Sequence, residues 1–168
     1  SGDYQKANTL LDSCLIIYPK DKPDYVKVII SKGSIFLLSG KYDEAKKLYQ
    51  SGYELALIKD NKKETIKALV NLAILNDYDG EVEEAQKKLQ LAMELAMEIE
   101  DIELQALIFS ETGVSFTYSG DIVVARKNYE KSLEIYKKLK NYERLANLSS
   151  NIGLLYIQTG NFSAAIKS

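Results

Sequence analysis

The chain has 168 residues, 22 basic against 24 acidic side chains, and neither histidine nor tryptophan. A hydrophobic fraction of 46% with 27% charged residues fits one folded globular domain and is too apolar for a disordered chain. Without histidine there is no imidazole base and no Ser-His-Asp or Cys-His arrangement, and the single Cys14 supports neither a disulfide nor a thiolate-clustered zinc site.

Charge and targeting narrow the class. The net charge is −2 and the only guanidinium groups are Arg126 and Arg144, so nucleic-acid binding by this segment is not expected. Apolar runs such as Ile122 to Ala125 fall far short of the roughly 18 residues of a membrane span. The polar N-terminus lacks a signal-peptide pattern, so a cytoplasmic location is expected, and the N-x-S matches at Asn147 and Asn161 are read as chance. The chain starts without methionine and stops mid-pattern at Ala165 to Ser168, which predicts a piece of a longer protein.

In chain order, the first predicted element is an unpaired helix over 3–18, with Cys14 a small apolar filler among Leu10, Leu11 and Leu15. Pro19 and Pro23 bracket the loop after it. A helix pair follows, 24–39 with 41–59. Its second member carries Tyr42, Ala45, Leu48, Tyr49, Gly52, Tyr53 and Ala56 at spacings of mostly three and four, one buried stripe. The next pair is 62–79 with 81–99, its first member patterned by Ile66, Leu69, Val70 and Ala73. Asp101 supplies the N-cap oxygen for the pair 102–119 with 121–139, and Asn141 does so for a helix at 142–159. The first turns of that helix's partner are expected at 161–168. Strand-like alternation is missing throughout, so the fold class is all-α.

A period of 40 residues ties these elements together, marked by Gly40, Gly80, Gly120 and Gly160. Alanine follows each glycine by five: Ala45, Ala85, Ala125 and Ala165. A small residue precedes each by seven: Gly33, Ala73, Gly113 and Gly153. Gly2 to Ala7 repeats the phrase 38 residues earlier. Small residues on both members of a pair let the two backbones approach closely.

These positions, with Tyr49, Leu89 and Tyr129 four beyond the alanine, resemble the signature of the tetratricopeptide repeat family. The 40-residue period exceeds the family's usual 34, and Leu57, Met97 and Lys137 replace its usual proline. The chain therefore resembles the long-helix subclass seen in kinesin light chains and in bacterial peptide-responsive regulators. The resemblance implies a right-handed superhelical α-solenoid of antiparallel helix pairs whose concave surface is lined by the first helix of each pair. It also implies a non-catalytic module that binds a peptide or helical segment of another protein, without metal or cofactor.

By the same resemblance, the residue two before each small position faces the groove: Ser31, Asn71, Glu111 and Asn151. An asparagine there offers the donors and acceptor that pair with a peptide backbone, or it satisfies neighbouring helix ends or water. Four residues earlier come Lys27, Lys67, Leu107 and Asn147, and at the rim Tyr78 and Tyr118. Tyr49, Tyr129 and Tyr136 are expected to pack in the core. A clamp for an acidic C-terminus is not expected, because Ile30 and Ser34 occupy its positions and Glu111 adds like charge. Two further readings stay open. The chain is the sensory or dimerising region of a bacterial signalling regulator, a transcription factor or histidine kinase, whose effector domain lies outside it; or it self-associates through exposed terminal helices.

Overall fold

The computed structural model describes residues 2–17 and 24–160 together with Lys20 and Lys22. They form eight helices: α1 (Gly2–Ile17), α2 (Asp24–Leu38), α3 (Tyr42–Ile58), α4 (Lys62–Tyr78), α5 (Val82–Glu98), α6 (Ile102–Ser119), α7 (Ile122–Leu139) and α8 (Tyr142–Gln158). No strand occurs among the described residues. The helical expectation for Tyr18 and for 161–168 lies outside them.

Chemistry at the helix ends accounts for the boundaries. Asn61, Asp101, Asp121 and Asn141 each accept a hydrogen bond from the backbone N–H three residues on, at 3.0–3.2 Å, which satisfies one of the free amides of the first turn. The first helices end on the periodic glycines; Gly120, for example, sits at φ 81°, a left-handed conformation that costs a side-chain-bearing residue more than glycine. Half a period away, the second helices turn the same way without glycine. Asp60, Glu100 and Lys140 stand at φ 49–54°, and nothing in their residue types announces it.

Packing within each pair is a fit of complementary sizes. Gly33 and Gly113 are buried, and a Cβ on them would lie 2.6 Å from the Tyr49 ring and 2.5 Å from the Tyr129 ring. In the intervening repeat Ala73 takes the glycine's place and Leu89 the tyrosine's, both in one buried cluster. A larger hole thus receives a larger knob at each cycle, which keeps the interior close-packed. Each hydroxyl is satisfied locally: Tyr49 Oη donates to Ser34 Oγ at 3.2 Å, and Tyr129 Oη lies 3.2 Å from Thr117 Oγ1. Cys14, expected to be buried filler, is partly exposed.

Every helix packs on its neighbours in the chain. Among the described residues the first helices also touch one another, α2 on α4, α4 on α6 and α6 on α8, whereas α3, α5 and α7 do not. One side of the array is therefore crowded and the other splayed, and the crowded side is built from first helices. Successive repeats are tied by Lys46 to Asp79 at 2.8 Å, Lys63 to Asp101 at 2.9 Å and Ser115 Oγ donating to Asp77 Oδ1 at 2.9 Å.

Candidate functional site

Side chains four apart on a helix share a face. On α2 that face presents Lys27 and Ser31, on α4 Lys67 and Asn71, and on α6 Leu107 and Glu111, and all six line one groove of about 470 Å³ across the three helices. Ile30, Val70, Ile74 and Leu104 give it an apolar floor. Of the nine side chains expected in the groove, these are Lys27, Ser31, Lys67, Asn71 and Glu111.

The other four stand elsewhere. Tyr78 and Tyr118 are exposed near the C-terminal ends of α4 and α6, with the Tyr78 ring stacked on Tyr42 at 5.5 Å between centroids. Asn147 is exposed on α8 and Asn151 half-buried there, and neither lines the groove.

Much of the polar lining is already engaged. Asn71 Nδ2 donates to the Lys67 carbonyl at 2.9 Å, so its amide donor is partly spent on its own helix and its oxygen is the freer end. Lys67 Nζ donates to Glu64 Oε1 at 2.6 Å, and Lys63 pairs with Asp101. Lys27 is exposed at the edge. Glu111 is half-buried, and burial pushes its carboxyl up to about 7, with Arg144 opposing and the charge of Asp77 adding to the shift. Asp77, itself buried, is raised to about 6 by desolvation against the opposing hydrogen bond from Ser115.

Among the lining residues that the sequence did not disclose are Glu64, Tyr136 and Arg144. Tyr136 packs in the core as expected, only 1% exposed, yet it also reaches the groove. Its hydroxyl and Glu64 Oε2 are buried without a hydrogen-bond partner. A signal was present in the period: Tyr136 occupies the register position of Ala56 and Ala96, both fully buried, so a long phenol projects where the preceding repeats have a methyl group.

Among the described residues no group of three or more metal-ligating side chains is suited to an ion, and no helix is long and apolar enough to cross a membrane. The sequence matches the tetratricopeptide repeat profile over residues 27–98 and 104–168. No curated protein matches it. Among solved structures, the chain is similar to BtubC (BKLC) from P. vanneervenii, with 20% identity and a TM-score of 0.76 over 99% of this chain and 70% of that one. It is also similar to PlcR of Bacillus thuringiensis, solved in complex with the peptide PapR7 and DNA, at 16% identity and a TM-score of 0.78 over 86% of this chain and 53% of that one. A third likeness is the apo form of RapI, at 14% identity and a TM-score of 0.75 over 96% of this chain and 58% of that one. At such identities the likeness is one of fold.

Proposed function

Since the chain belongs to the tetratricopeptide repeat family, a family of protein-interaction modules, we propose that it is a non-catalytic scaffold that binds an extended peptide or helical segment of a partner in the groove across α2, α4 and α6. The observation that carries this reading is the convergence of Lys27, Ser31, Lys67, Asn71 and Glu111 on one groove with an apolar floor. Such a lining accommodates side chains on its apolar part and holds a main chain by its polar edge. The reading places the protein in the cytoplasm, where a lone thiol needs no disulfide partner.

The test is to select binding peptides from a displayed library against the wild-type chain and to measure the selected peptide again on Asn71→Ala and on the Ser31→Ala/Asn71→Ala pair. Loss of one or two side-chain hydrogen bonds predicts weakening of about tenfold. Undiminished binding by both variants refutes the groove assignment.

A second reading is favoured by the fold likeness to PlcR, whose structure holds a peptide and DNA. In it, these residues are the sensory or dimerising part of a bacterial regulator, and the groove receives a signalling peptide. The gene's full open reading frame decides it: a DNA-binding or kinase segment outside residues 1–168 supports the regulator, and an uninterrupted repeat array refutes it. Self-association through terminal helices is read directly by sedimentation over a concentration series, in which a strict monomer removes it.

A further inference from the structure

Two departures from the 40-residue period fall in one place. At one register position the chain reads Ser31, Asn71, Glu111 and Asn151, so a carboxylate replaces a neutral polar group only in α6; at another it reads Ala56, Ala96 and Tyr136. Both departures line the groove, and the charge of Glu111 acts on the Tyr136 hydroxyl. What they leave there is unspent hydrogen-bonding capacity. Tyr136 Oη is buried and unpartnered, as is Glu64 Oε2, both residues lining the same groove, and a polar group buried without a partner is destabilised until one is supplied. No hydrogen bond reaches the Glu111 carboxyl among the described residues.

The unspent groups are mainly acceptors, and two of the three lysines lining the groove are committed elsewhere, the third, Lys27, standing exposed at its edge. Lys63 is held by Asp101 and Lys67 by the other oxygen of Glu64. Glu103, whose charge also acts on Tyr136, takes one donor from Asn141 Nδ2 at 3.0 Å. Arg144 is the one cation whose charge acts on both Glu111 and Tyr136, and its side chain is exposed. A guest bringing an anion would meet Glu111 and Glu103, whereas a guest bringing N–H donors and positive charge would satisfy the buried acceptors.

We infer that the groove contains a subsite for one basic side chain of the bound segment, its ammonium or guanidinium head received by the Glu111 carboxylate and the Tyr136 hydroxyl. The inference rests on the groove-binding reading and adds to it the chemistry of the guest. Arg144 competes with the guest for Glu111, so its removal strengthens binding of a basic guest, whereas at an anion site its removal would weaken binding.

The experiment is a titration of the isotope-labelled chain, followed by amide resonances, with capped pentapeptides of sequence acetyl-Ala-Ala-X-Ala-Ala-amide. X is lysine, norleucine or glutamate. The lysine peptide is expected to shift resonances of α6 and to bind about tenfold more tightly than the norleucine peptide, the effect of one charge-assisted hydrogen bond. Tyr136→Phe, which keeps the buried ring, and Glu111→Gln each bring that ratio close to one, and Arg144→Ala raises it. If norleucine or glutamate matches or exceeds lysine while groove resonances still shift, the subsite is refuted and the groove reading survives. If no peptide shifts any groove resonance, the groove reading fails and the subsite with it.

Discussion

Replacing Gly113 by alanine tests the size-matched packing of the helix pairs. The added Cβ would lie 2.5 Å from both Cδ1 and Cε1 of Tyr129, about 1 Å inside ordinary carbon contact. The ring has little room to yield: Tyr129 is 2% exposed and its hydroxyl is held by Thr117. Overpacking of this kind costs about 1–3 kcal/mol, offset by about 0.5–1 kcal/mol because alanine favours a helix interior over glycine. The expected net loss is about 1–2 kcal/mol, or a fall in Tm of several degrees for a chain of this size. Thermal and urea unfolding followed by circular dichroism measures it. The double variant Gly113→Ala/Tyr129→Leu copies the native Ala73 and Leu89 combination, and it should recover at least about 1 kcal/mol relative to the sum of the single changes. An unchanged or raised Tm for Gly113→Ala, or strict additivity in the double variant, would refute the reasoning.

Asp77 and Glu111 have native pKa values above their ordinary ones, about 6 and about 7, so the folded state binds more protons than the unfolded and stability falls as pH rises from about 4 towards 7. Asp77→Asn, whose side-chain oxygen can still accept from Ser115, removes part of that loss; its urea midpoint relative to wild type should climb across this window, and parallel curves would contradict the assignment. Asp101 shows the opposite sign, its carboxyl held below the usual range chiefly by Lys63 and the Leu104 amide. Asp101→Ala should cost about 1 kcal/mol at neutral pH through loss of the cap, and the difference should shrink as pH drops below about 4; a gap independent of pH would disprove it. Glu100, at φ 53°, pays for a left-handed turn that glycine adopts freely, so Glu100→Gly should raise the thermal midpoint slightly, by up to about 1 kcal/mol of stability, and a lowered midpoint would count against it.

Periodicity made the helices and their pairing legible, because glycine, alanine and the capping side chains act locally and announce themselves by type. The left-handed turns at Asp60, Glu100 and Lys140 were not legible, since their conformation is imposed by where two helices must meet and not by the residue that bends. For the groove, the family resemblance implied that Lys27, Ser31, Lys67, Asn71 and Glu111 face it, and these five side chains line one groove on α2, α4 and α6. Tyr78 and Tyr118, expected at the rim, lie near helix ends and do not line the groove, and Asn147 and Asn151 lie on α8, which reaches the groove through Arg144 at its first turn and not through them. Tyr136 was assigned to packing, and it is buried; what residue type alone did not convey is that the same phenol also lines the groove.

The exchange of glycine and tyrosine for alanine and leucine bears on how such an array can be cut and rejoined. Each knob and its hole lie on the two helices of a single pair, α2 with α3, α4 with α5 and α6 with α7, so the periodic glycine turn joins two surfaces shaped for each other. Joints placed between pairs, at Asp60 or Glu100, would transplant a unit with its interior intact. Joints at Gly80 or Gly120 would set Gly113 against leucine or Ala73 against tyrosine, leaving a void in one hybrid and a collision in the other. Chimaeras spliced at the two kinds of turn would thus differ in stability although they exchange the same number of helices.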